Sequence, residues 1–148
     1  MEILLFYCCN NTCQASSIYW GILFIKIIIL LFFSILFIQS GWDKVKNHQE
    51  NLSWLISFFK QSIFKGSELI LLYLLTFFEL LAAVLSFFSI PLLILGNNLI
   101  GLVALAFAAI SLLSVFFGQR VAKDYVGAIG TTTYLLFTLA SMLVFILL

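Results

Sequence analysis

The chain has 148 residues, is 64% hydrophobic and 9% charged, and has a mean hydropathy of +1.23. Water-dissolved domains are roughly half apolar and about a quarter charged, so a domain surrounded by water is excluded. The formal net charge of +1 leaves no basic field for nucleic acid and no acidic tail, and the length suits one domain.

Residues 1–17 read as a loose tail ahead of a single membrane domain over residues 18–148. The apolar run Ile3-Leu4-Leu5-Phe6-Tyr7 is too short to span and has no basic residue in front of it, unlike a signal peptide. Cys8, Cys9 and Cys13 match neither a zinc spacing nor a CxxC redox pair, so free or adventitiously oxidised thiols are expected and no metal site.

Residues 18–38 form the first candidate span, with Trp20 and Trp42 bracketing it as aromatic residues do at membrane interfaces. The polar knot Ser40-Gly41-Trp42-Asp43-Lys44 closes it. The polar segment that follows hides a helical pattern in Leu52, Leu55, Ile56, Phe59 and Ile63, which predicts an amphipathic interfacial helix over about 48–65. Trp54 and Phe58 widen its apolar face. Asn47 and Glu50 have the spacing of a reciprocal capping pair, and Gly66 suits the exit.

Residues 69–90 form the second span, with Ser67 as its expected cap and Pro91 marking its end or a kink. The third, over about 99–117, follows the turn Gly96-Asn97-Asn98 and carries Ala104 and Ala108, a spacing of small residues that brings helix backbones close in lipid. Gly118 to Ala128 concentrates Gln119, Arg120, Lys123, Asp124 and Tyr125 in one turn. The fourth span, 129–148, opens with Thr131, Thr132 and Thr133, whose hydroxyls can bond back along the helix or across to a neighbour. In lipid every backbone polar group needs a partner within the protein, and these long apolar runs do not alternate as barrel strands do. The expected fold is therefore an all-α membrane protein, a four-transmembrane-helix bundle with an interfacial helix between the first two spans.

All but one of the seven lysines and arginines fall in the two loops that four spans place on one side. The positive-inside rule then puts those loops in the cytoplasm and both termini outside. The expected setting is a bacterial cytoplasmic membrane.

Two ionisable residues lie within spans, Lys26 and Glu79. Counted at about 1.5 Å per residue from the outer ends of their helices, they lie roughly 12 Å and 16 Å deep, which predicts an intramembrane Lys26–Glu79 pair, direct or through water. The alternative is a Lys26 that snorkels outward and a protonated Glu79. Ser40, Asp43, Lys44, Gln119, Arg120, Lys123, Asp124 and Tyr125 are expected to form a polar cap on the cytoplasmic side. Within it, Asp43–Lys44 and Lys123–Asp124 read as simple ion pairs; alternatively Lys44, Arg120 and Lys123 gather around a lipid phosphate or another anion. The single histidine, His48, lies in a loop, so a bundle haem with histidine ligands is not expected. No phosphate loop, HExxH or G-x-S-x-G element is present, so no catalytic residue and no evident cofactor is read from motifs.

Three of these stretches resemble a known family. Ser40-Gly41-Trp42-Asp43-Lys44 looks like the S-G-x-x-K of the DoxX family of small four-helix membrane proteins. Glu79-Leu80-Leu81-Ala82-Ala83 looks like its E-L-L-G segment, and Gly118 to Tyr125 looks like a G-Q-R-hydrophobic-A-K-D-Y element of one branch. The resemblance runs from about Lys26 to the C-terminus. It implies a component of a quinone-linked redox or oxidative-stress membrane complex, with quinone as cofactor and membrane or soluble redox proteins as partners. The competing expectation is a non-enzymatic membrane scaffold or a small-solute carrier.

Overall fold

The computed structural model describes residues 18–60 and 64–148 in full; the expected tail with Cys8, Cys9 and Cys13, and Ile63 of the interfacial pattern, lie outside these described residues. Five helices follow one another: α1 (Glu2–Lys46), α2 (His48–Phe58), α3 (Glu68–Ile94), α4 (Leu99–Val121) and α5 (Tyr125–Leu147). Four segments are long and apolar enough to cross a membrane: Ile18–Lys46 of α1, and the whole of α3, α4 and α5.

The four long helices form an up-and-down bundle. α1 packs along α3, α3 along α4, and α4 along α5. Small side chains set these close approaches. Ala82 and Ala83 on α3 and Ala104 and Ala108 on α4 have no exposed surface, the role that the Ala104/Ala108 spacing predicts. The seam between α1 and α5 is filled differently. There Phe137 lies edge-on to Phe32 at 5.2 Å and stacked with Phe33 at 5.7 Å, so large rings hold the two backbones apart. The outer surface is apolar as well: Phe24, Ile35, Ile70, Phe88, Leu136 and Ile146 are all exposed. A water-facing protein does not carry so continuous an apolar coat, whereas lipid tails solvate it at no cost.

Three boundaries differ from the sequence expectation. α1 does not stop at Ile38 but runs through the polar knot to Lys46. Side chains one turn apart bridge there, Lys44 to Ser40 at 2.8 Å and Asn47 to Asp43 at 2.8 Å, and Gly41 serves a close contact: a Cβ on it would lie 2.7 Å from Leu80 Cδ2 of α3. α3 runs through Pro91 to Ile94. It ends where Gly96, at φ +87, turns left-handed and lets the Gly96 and Asn97 amides bond back to Leu93 and Leu92. The interfacial helix is shorter than 48–65, stopping at Phe58.

Two expected caps are also absent. The Asn47 side chain goes to Asp43 and makes no bond at the start of α2, and Ser67 makes none at the start of α3. The Glu68 carboxylate instead accepts from the Gly66 amide at 2.8 Å.

Candidate functional site

Because α1 continues to Lys46, the Lys44 side chain reaches back along the helix and into the α1–α3 seam. Its Nζ donates to both carboxylate oxygens of Glu79, at 2.8 Å and 3.0 Å, and to the Ser40 hydroxyl at 2.8 Å. Those three bonds use all three ammonium hydrogens. Glu79 is buried, at 4% exposure, and Lys44 is mostly covered.

The expected Lys26–Glu79 pair is therefore not formed. Lys26 donates to the side-chain oxygen of Asn98 at 3.3 Å and lies 5.2 Å from the centre of the Phe145 ring. Both partners belong to the other end of the bundle. Depths counted from Ile18 and from Ile90 share no common origin, because α1 rises past the α3–α4 turn and α3 continues beyond Pro91. Along α1, Lys26 lies about 21 Å from Ser40, the residue beside Glu79.

The residues expected in one polar cap divide into two groups, with Asp43 apart from both against Asn47 and Asn51. Ser40 and Lys44 join Glu79. Gln119, Arg120, Lys123, Asp124 and Tyr125 build the α4–α5 corner. There Lys123 takes the left-handed conformation, φ 63, so that the Lys123 and Asp124 amides bond to the Arg120 and Gln119 carbonyls. Asp124 then caps α5, its Oδ1 accepting from the Gly127 amide at 3.0 Å. Arg120 lies 4.9 Å from the centre of the Tyr125 ring, and Gln119 Oε1 accepts from the Thr131 hydroxyl at 2.7 Å.

Neither expected ion pair exists. Adjacent helical residues point in different directions, so Asp43 meets Asn47 and Asn51 while Lys44 turns inward. The Asp124 carboxylate is used on a backbone amide, not on Lys123. Of the three cations that could gather around an anion, Lys44 is turned to Glu79 and Arg120 to the Tyr125 ring.

One member of the corner, Gln119, nevertheless shares a chamber with the Lys44–Glu79 pair. A cavity of about 560 Å³ lies between α1, α2, α3, α4 and α5 at the Lys44 end, and Ser40, Lys44, Glu79, Gln119 and Thr131 all line it. This volume falls within the ~300–1,000 Å³ range of ligand pockets. Most of the remaining wall is aromatic or aliphatic. Trp54 stacks on Phe58 with centroids 4.6 Å apart, and an edge-to-face chain leads from Phe58 to Phe59, to Phe64 and to Phe117. α2 is the cover. It turns Asn51, Trp54, Leu55 and Phe58 to the cavity, while Ile56, expected on the apolar face, is exposed. At its start the His48 ring lies 5.2 Å from Tyr73 of α3.

The sequence pattern misses Asn51, Phe64, Phe78 and Tyr134 as lining residues. The recurrence of phenylalanine on either side of the Lys60–Gly66 stretch is the one signal that could have flagged the aromatic wall. Chemically, the chamber offers a desolvated carboxylate with lone pairs left over, an ammonium, a serine hydroxyl and a side-chain amide, set in apolar walls. Among the described residues no three His, Cys, Asp or Glu side chains converge as a metal centre needs. Compared with family models, with curated proteins and with solved structures, the chain matches none of them.

Proposed function

We propose that this chain is an integral membrane protein that binds a small, ring-bearing apolar molecule from the bilayer in the cavity beneath α2, with the ligand's polar end at Lys44 and Glu79. The observation that carries the reading is the burial of the Lys44–Glu79 pair in the wall of an otherwise mainly apolar cavity of about 560 Å³. A buried ion pair adds little net stability over apolar packing, so its place in a cavity wall favours a binding role. A ring carbonyl can take the ammonium hydrogen that Ser40 holds, and a ring hydroxyl can donate to Glu79. Both forms of a quinone–quinol couple are therefore accommodated.

Together with the DoxX resemblance, the cavity supports reading the protein as a component of a quinone-linked redox or oxidative-stress assembly in a bacterial cytoplasmic membrane. Glu79 and Lys44 would handle protons, and a redox protein partner would supply or take electrons. The positive end, with Lys44, Lys46, Lys60, Lys65, Arg120 and Lys123, faces the cytoplasm in this reading. The scaffold reading is disfavoured by the open chamber. The carrier reading is disfavoured by Leu30, Phe33 and Leu105, which are fully buried in the core between the chamber and the Lys26 end.

The test is gentle purification of the full chain followed by extraction and identification of bound lipophilic molecules. Co-purified quinone that disappears in a folded Glu79→Gln variant supports the reading. Equal quinone content in both proteins, or none in either after added quinone, removes it.

A further inference from the structure

The chamber leaves Lys26 unused, yet Lys26 is buried, at 3% exposure. A buried ammonium ordinarily lies against a carboxylate, because desolvating an unpaired charge is costly. Among the described residues no acidic group lies within ion-pair distance of Lys26. One of its three hydrogens goes to Asn98, at 3.3 Å, and Phe145 covers another side of it.

Asn98 adds a second oddity. It occupies the N-cap position of α4 but makes no capping bond with its side chain, because its oxygen is turned to Lys26. The positive end of the α4 dipole thus lies beside the ammonium, with Asn97 Oδ1 accepting from the Leu99 amide at 3.0 Å in place of an Asn98 cap. Next to both is a separate cavity of about 130 Å³, lined by Lys26, Asn98, Gly96, Tyr19 and Leu148 among others. A water molecule's share of liquid volume is about 30 Å³, so the space exceeds a single water.

We propose that this cavity binds a phosphate-type oxyanion, with its negative charge on Lys26. The position fits. Lys26 is level with the α3–α4 turn, at the end of the bundle opposite Lys44, where the phosphates of that leaflet would lie. The same chemistry is available from a lipid headgroup or from free phosphate. The site shares no residue with the chamber beneath α2 and does not depend on its ligand.

The experiment uses the full chain in a phosphate-free sugar-detergent micelle at constant ionic strength. Inorganic phosphate is added in one arm and phosphatidylglycerol in the other, and acetylation of Lys26 is followed by mass spectrometry with exposed Lys60 as internal control. At a tenfold excess of anion over its Kd, Lys26 should react about tenfold more slowly while Lys60 is unchanged. Protection by inorganic phosphate identifies a free-anion site; protection by phosphatidylglycerol alone identifies a headgroup site. The ligand's thermal stabilisation should vanish in Lys26→Gln and persist in Lys26→Arg. No protection of wild-type Lys26 in either arm overturns the proposal even if Lys26→Gln fails to fold, and so does stabilisation that survives undiminished in Lys26→Gln.

Discussion

Lys44 of α1 and Glu79 of α3 meet across the seam that Gly41 keeps narrow, the ammonium 2.8 Å and 3.0 Å from the two carboxylate oxygens. One turn of α1 therefore supplies the contact and the counter-charge together. Two consequences can be measured; two further predictions concern the α4–α5 corner and the cavity.

Removing one partner should cost more than removing both. Lys44→Met leaves a buried carboxylate without its cation and should destabilise the bundle by about 3–5 kcal/mol. The double variant Lys44→Met/Glu79→Leu should recover most of that loss. Unfolding in detergent of the four proteins of this cycle measures the coupling; simple additivity would mean the pair is not coupled.

Gly41→Val should open the seam. Its Cβ would lie 2.7 Å from Leu80 Cδ2 and 3.0 Å from Leu80 Cγ, and valine adds two methyl groups to that bulk. Overpacking of this kind costs about 1–3 kcal/mol. Acetylation of Lys44 should become faster as its partner withdraws. An unchanged melting temperature and unchanged Lys44 reactivity would show that the helices are not held this close.

The α4–α5 corner should be improvable. Lys123 holds φ 63, where a side chain costs about 1–2 kcal/mol relative to glycine. Lys123→Gly is expected to raise the melting temperature and Asp124→Ala to lower it, the latter by about 1 kcal/mol through loss of the Gly127 bond. A Lys123→Gly protein no more stable than wild type would contradict the corner's geometry.

Trp54 should report occupancy of the chamber. It lines the cavity, and the other two of the chain's three tryptophans, Trp20 and Trp42, can be replaced by Phe to isolate its emission. Added quinone should quench Trp54 in that background, and Glu79→Gln should weaken the concentration dependence by at least about tenfold, the worth of one charge-assisted hydrogen bond. Quenching identical in both proteins would separate the cavity from Glu79.

The amino-acid sequence determines the four apolar helices and the side-by-side ends at which the basic loops gather, because the need to satisfy backbone polar groups in lipid leaves long apolar runs no other form. It also marks Lys26 and Glu79 as unusual, since charge inside such runs is scarce, and gathers Lys44 and Gln119 into the polar knots at the ends of those runs. It does not determine which of them meet. Pairing depends on where each helix ends relative to its neighbours, and those ends are set by contacts that composition conceals. Lys44 bridges to Ser40 and carries α1 past its apolar stretch; Gly96, not Pro91, closes α3. The chamber beneath α2 has the same origin. Its walls come from all five helices, and a cavity is space left over by packing, which no local pattern in one helix records.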